Sequence, residues 1–249
     1  MFQSFYLSLR GCLSVVAISL FIVSCAEQQP VRDEFATAQA AYEKGLTHKN
    51  KKRWEDAIAS FQDVKFRYPL SPFAKKAELD LADVYYLKKD YIESRSAYEL
   101  FVKFHPSDAN IPFVQYRIGL TYYQEMPKTV DRDEGPVLKT IEVLSDFIKS
   151  YPKSSYKADT QDKLREARQW MMHHILYIAH YYYKTKEYKA ALARALDIIE
   201  KYPGFPQREK AYFYIISCYN RLKEVENARK YLQKLKQEFP NSSFINDFE

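Results

Sequence analysis

Residues 61–69 read FQDVKFRYP, and the phrase returns as YELFVKFHP at 98–106, LSDFIKSYP at 144–152, ALDIIEKYP at 195–203 and LQKLKQEFP at 232–240. Pro69 and Pro106 stand 37 residues apart, as do Pro203 and Pro240, and the two middle spacings are 46 and 51. Counting back twelve from each proline finds Ala57, Ser94, Thr140, Ala191 and Ala228, all of modest size. Eight before it stand Phe61, Tyr98, Leu144, Ala195 and Leu232. Twenty-one before it, four of the five units have a ring: His48, Tyr85, Tyr182 and Tyr219.

These offsets resemble the tetratricopeptide repeat, a helix-turn-helix unit of about 34 residues. Each helix pair buries one face against the next. Small residues are therefore wanted where helices approach closely, and large ones between them. Proline, lacking an N–H, fixes where the second helix stops. The expected fold is all-α, a superhelix of five helix-turn-helix units with ten repeat helices and no sheet. The third unit fits, through Gly119 and Tyr122, once nine residues are inserted within QEMPKTVDRDEGP between its two helices. Before the fourth unit, residues 154–183 contain no Pro or Gly and predict one helix on the order of 40 Å long, its start signalled by Pro152 and Ser154. Such a helix belongs to two units at once and joins repeats 1–3 rigidly to repeats 4–5.

The chain has 249 residues, five Gly and 22 Tyr, which suits helices packed through aromatic side chains and not a turn-rich β-sandwich. Its net charge of +6 has both signs interspersed, so no nucleic-acid footprint is expected. At the N-terminus an apolar run from Gly11 to Val23 is too short to span a bilayer as a helix and has the layout of a secretory signal. It ends in IVSC, residues 22–25, which resembles a bacterial lipobox. Residues 1–24 are thus expected to be a signal peptide, and Cys25 the acylated first residue of the mature chain. It would carry a diacylglycerol and an acyl chain, with residues 25–34 as a flexible tether to the membrane. An incidental Cys after an ordinary signal, or an uncleaved anchor, is the plainer alternative. By resemblance to the lipoproteins of enteric bacteria, Ala26 rather than Asp after the cysteine would favour the outer membrane. Cys12 falls in the signal, which leaves Cys218 without a disulfide partner.

No catalytic site, cofactor or metal is expected. His173 and His174 diverge by about 100° on a helix, and His173 and His180 stand about 10 Å apart, too far to share an ion. Cys218 reads as a small core residue. Asp131 to Glu134 lacks the calcium-loop signature and reads as a solvated insertion. No glycine loop for phosphate is present.

The segments RYPLSPFAKKAELDLADVYY (67–86), HPSDANIPFVQYRIGL (105–120), DRDEGP (131–136) and YPKSSYKADTQDKL (151–164) resemble the BamD lipoproteins of the β-barrel assembly machinery. The five-repeat layout, the long joining helix and the lipobox are similar too, so the likeness runs over about residues 32–240. It implies a lipid-anchored scaffold that binds unfolded outer membrane proteins and a BamA-like insertase, placed at the periplasmic face of the outer membrane. By that resemblance residues 35–152 form the substrate side, at the turn Tyr68, Pro69, Pro72, Phe73 and the helix carrying Asp80, Tyr85 and Tyr86. Residues 153–249 form the insertase side, with Arg194 at the position of a contact arginine. On residues alone, Tyr85 reads as packing, Tyr86 as surface and Arg194 as a solvated helix residue. The rival reading is another cell-envelope repeat protein, one coordinating peptidoglycan synthesis or a pilot lipoprotein for a secretin.

Overall fold

A computed structural model describes residues 31–248, so the signal, Cys25 and most of the tether lie outside the described residues. Ten α-helices follow in order: α1 Val31–Asn50, α2 Trp54–Arg67, α3 Pro72–Lys88, α4 Tyr91–Phe104, α5 Ile111–Gln124, α6 Gly135–Ser150, α7 Lys157–Lys184, α8 Tyr188–Lys201, α9 Arg208–Arg221 and α10 Val225–Glu238. A short 3-10 turn, Ser243–Ile245, closes the chain, and no strand occurs among the described residues. The expected all-α repeat array is present. The first helix already starts at Val31, inside the stretch assigned to the tether.

Short turns make each helix antiparallel to the one before it. In repeats 1, 2, 4 and 5 the turn within the pair has one residue in the left-handed region: Lys52, Lys89, Lys186 and Lys223, with φ of 57°, 74°, 66° and 63°. The residue after each lysine donates its N–H to the carbonyl of His48, Tyr85, Tyr182 or Tyr219, at 2.9 Å every time. This is the six-to-one bond of a Schellman cap. It explains why the positions twenty-one before each proline recur: their carbonyls end the first helix of the pair. Repeat 3 has the insertion in place of this cap.

Small residues and their large neighbours interlock as the spacing implies. Ala57, Ser94, Thr140, Ala191 and Ala228 are all buried, as are Phe61, Tyr98, Leu144 and Ala195. Gly45 and Gly119 permit the closest approaches: a Cβ there would stand 2.6 Å from the Phe61 ring and 2.5 Å from a Leu144 methyl.

The long helix α7 begins at Lys157, three residues later than Pro152 and Ser154 suggest. Ser154 instead makes a turn in which its Oγ accepts the Tyr156 N–H at 3.2 Å. From there α7 packs on both sides. The largest core cluster runs from Val137 of α6 through Ala167, Met171 and Met172 of α7 to Ala195 and Ile198 of α8 and Ile215 of α9. One continuous interior therefore passes from repeat 3 into repeat 4.

Candidate functional site

Odd-numbered helices touch one another, α1 with α3, α5 with α7 and α7 with α9, whereas even-numbered helices make at most marginal mutual contact. The odd helices thus line the inner surface of the superhelix and the even ones the outside. A tyrosine and carboxylate ladder binds the inner surface of repeats 1–3 together. Tyr42 of α1 donates to Asp80 of α3 at 2.5 Å, and Lys49 pairs with the same carboxylate at 2.6 Å and with Asp83 at 3.4 Å. Asp83 also accepts from Tyr98 of α4 and pairs with Arg117 of α5 at 2.9 Å. Arg117 Nε donates to the Tyr98 hydroxyl at 2.9 Å, and its guanidinium lies 3.8 Å from the centre of the Tyr86 ring. Further along, Tyr116 of α5 donates to Asp159 of α7 at 2.5 Å and stacks on Tyr156, while Tyr123 donates to Glu166.

The turn at residues 68–73 has a local cause. Ser71 caps α3 by accepting the Phe73 N–H at 3.2 Å, and Pro72 fills the first helical position, where its missing N–H costs nothing. Tyr68 and Phe73 are half-buried, and the Phe73 ring packs 5.5 Å from Tyr42; Pro69 and Pro72 are exposed. Asp80 is held by Tyr42 and Lys49, and Tyr85 packs against the core of repeat 1. Tyr86 is half-buried, with one face under Arg117 and an edge toward Tyr91 at 5.5 Å. So Phe73, Asp80 and Tyr86 are gathered along α3 toward the inner surface, and Tyr85 joins the interior.

Sequence reading missed Asp83, Tyr98, Arg117, Tyr116 and Tyr123, which tie the ladder together. The signal for three of them was available: α5 sets Phe113, Tyr116, Arg117, Leu120 and Tyr123 at three- and four-residue spacing, one face of a helix. Asp83 alone could not have been chosen from several acids of α3.

Burial, then the neighbouring carboxylates, hold the phenols of Tyr42, Tyr98 and Tyr116 well above the usual tyrosine range and push Tyr123 up to about 12. The folded chain therefore keeps protons that the unfolded chain releases near about pH 10. The stability these groups contribute is full below that pH and is lost as the pH rises from it through the folded-state values. In an alkaline titration, part of the tyrosinate absorbance should appear only together with loss of helical circular dichroism. The whole tyrosinate signal appearing with the helix signal intact would contradict the ladder.

On the other half, Arg194 is exposed on α8 and makes no ion pair among the described residues. The insertion between α5 and α6 is solvated at Asp131, Arg132 and Asp133, yet its ends are pinned to α7. His174 contacts the Val130 carbonyl through Nδ1 and the Glu134 carboxylate through Nε2, both at 2.6 Å, and stacks on Trp170. His180 Nδ1 meets the Tyr214 hydroxyl at 2.8 Å. Cys218 is buried, and burial pushes its thiol up to about 11. Among the described residues no three metal-ligating side chains converge, and no helix is long and apolar enough to cross a membrane.

A family described as outer membrane lipoprotein (YfiO) matches residues 35–235. Similar proteins include the outer membrane protein assembly factor BamD of Rickettsia prowazekii, 23% identical over 231 residues, 93% of this chain and 92% of that one. BamD of Neisseria meningitidis serogroup A is 24% identical over 251 residues, 95% of this chain and 94% of that one. BamD of Buchnera aphidicola is 26% identical over 232 residues, 89% of this chain and 94% of that one. Among solved structures, the TPR2AB-domain:pHSP90 complex of yeast Sti1 is 15% identical, covering 83% of this chain and 79% of that one, with a TM-score of 0.48. With the repeat register and ten-helix array in place, the match over residues 35–235 shows that the chain belongs to the BamD (YfiO) family of outer membrane lipoproteins.

Proposed function

We propose that this chain is a lipid-anchored scaffold of outer membrane β-barrel assembly, holding unfolded barrel precursors and coupling them to a BamA-like insertase. The observation that carries the reading is the end-to-end likeness to proteins named outer membrane protein assembly factor BamD, which covers 92% to 94% of the Rickettsia and Neisseria relatives. Cys25 carries the lipid that holds the chain at the periplasmic face of the outer membrane. The chemistry required is binding alone, so no enzymatic step or cofactor is assigned.

An unfolded barrel segment is extended, with free backbone groups and aromatic side chains. The inner surface of repeats 1–3 offers tyrosine faces and a charged ladder already braced by its own partners, so accepting a segment needs little rearrangement. Phe73, Asp80 and Tyr86 lie along this surface, with Tyr68, Pro69 and Pro72 at its rim and Tyr85 supporting it from behind. Arg194, exposed and unpaired, is available to a carboxylate of the insertase.

Copurification from detergent-solubilised outer membranes tests the reading. The insertase is expected in stable complex with the tagged chain. Recovery of secretin rings, or of peptidoglycan synthesis enzymes without the insertase, would instead favour the other cell-envelope roles.

A further inference from the structure

The ends of the outer helices differ along the array. In repeats 1 and 2 the residues just before the aromatic-proline pair bring Phe66 and Phe104 to the surface, 75% and 65% exposed, and Leu70 at the tip of the α2–α3 turn is 96% exposed. At the same place repeats 3, 4 and 5 have Lys149-Ser150, Glu200-Lys201 and Gln237-Glu238, and none of the described large apolar side chains is exposed at those three ends. Repeat packing therefore does not require the apolar residues. Because α2 and α4 run in the same direction, Phe66, Leu70 and Phe104 share one edge of the molecule. Lys76 and Lys103 stand beside them with no acidic partner among the described residues, Lys76 over the Phe73 ring and Lys103 over the Phe104 ring.

This is the edge at which the chain enters. Helix α1 runs antiparallel to α2, and Ala38 and Phe66 stand equally far from the turn that joins them. The part of α1 before Ala38 passes that level by about 10 Å. The residues between Cys25 and Val31 reach at most about 20 Å however they are arranged. A lipid on Cys25 thus keeps the end of α1 within about 20 Å of the headgroups and Phe66 about one helix width further, and rotation about the tether brings the shared edge with Leu70 and Phe104 toward the bilayer.

We propose that this edge of repeats 1 and 2 is a membrane-facing surface, with Phe66, Leu70 and Phe104 entering the headgroup region of the bilayer that carries the anchor. The inference rests on the lipid-anchor reading above. Exposed aromatic and leucine side chains flanked by lysine suit the interface between water and acyl chains, and two unneutralised lysines add attraction to anionic lipid. A single lipidated terminus holds the chain near the surface but leaves its orientation free; a second apolar contact fixes it. The groove then faces along or away from the bilayer, open to precursors arriving from the periplasm.

The test uses the full lipidated chain in vesicles of phosphatidylethanolamine and phosphatidylglycerol. Leu70→Cys, Phe104→Cys and, as control on the opposite edge, Lys51→Cys each receive an environment-sensitive fluorophore. Cys218 stays unlabelled at neutral pH because it is buried with a raised thiol pKa, and Cys25 is acylated. Blue-shifted emission quenched by nitroxide lipids at positions 70 and 104, and absent at 51, is the expected result. A lipidated chain that floats with the vesicles but shows no quenching at 70 and 104, or equal quenching at all three positions, overturns the surface while leaving the anchor standing. A chain that carries no lipid by mass and does not float overturns the anchor reading, and this one with it. A blue shift without nitroxide quenching that appears only on adding the insertase or a barrel peptide assigns the edge to a protein, and also overturns the proposal.

Discussion

Replacing Phe61 by Ala is expected to lower stability by about 3–5 kcal/mol, the range for deleting a buried aromatic from a core. The ring is fully buried between α1 and α3 and packs 5.7 Å from Tyr42. It presses on Gly45, whose missing Cβ makes the space it fills. Helix α1 cannot collapse freely onto the vacated volume, because the Schellman turn at Lys52 fixes it to α2, which carries the ring. Phe66→Ala, five residues on but exposed, should change stability by less than about 0.5 kcal/mol. Urea unfolding of both variants checks the pair. Similar losses from the two would mean that the repeat register is wrong.

Asp83→Ala is the second large loss, expected at about 2–3 kcal/mol. Removing one partner of a buried pair leaves a stranded charge and costs roughly 3–5 kcal/mol, a figure moderated here by water reaching the site. The side chains of Asp83 and Arg117 remain 22% and 15% exposed. Asp83 accepts from Tyr98 and pairs with Arg117, so its loss strands groups on α4 and α5 together, while Lys49 of α1 keeps Asp80. Adding Arg117→Met should restore part of the loss, since the stranded guanidinium goes with it. A double variant whose loss is the plain sum of the two single ones would show that the pair is not coupled.

The repeat and its register were legible because they rest on local chemistry: proline ends a helix, small residues mark close approach, and the residue twenty-one before proline supplies a capping carbonyl. What the spacing did not reveal is which side chains join one repeat to the next. Asp83, Tyr98 and Arg117 lie on three different helices, and only the superhelical twist brings them together. The start of α7 was misplaced for a related reason. Ser154 has the chemistry of a helix start, but its hydroxyl closes a turn that lets Tyr156 stack on Tyr116 before the helix begins. The insertion looked wholly solvated, because nothing in its sequence signals that His174, forty-four residues after Val130, holds its carbonyl. Tyr86 is one position from Tyr85 and points about 100° away, so Tyr85 packs on the core of repeat 1 while Tyr86 lies half-buried beneath Arg117. That guanidinium cover comes from the next repeat.

The proposed function implies a division of labour along the array, in which residues 35–152 would hold the precursor and residues 153–249 the insertase. Titration of two variants against both partners tests it most directly. Phe73→Ala with Tyr86→Ala should weaken binding of an aromatic-ended barrel peptide and spare the insertase. Arg194→Glu should weaken the insertase by about 1–3 kcal/mol if it meets a partly buried carboxylate, and leave the peptide unchanged. Either variant damaging both interactions equally, with its helical circular dichroism and unfolding midpoint intact, would contradict the division.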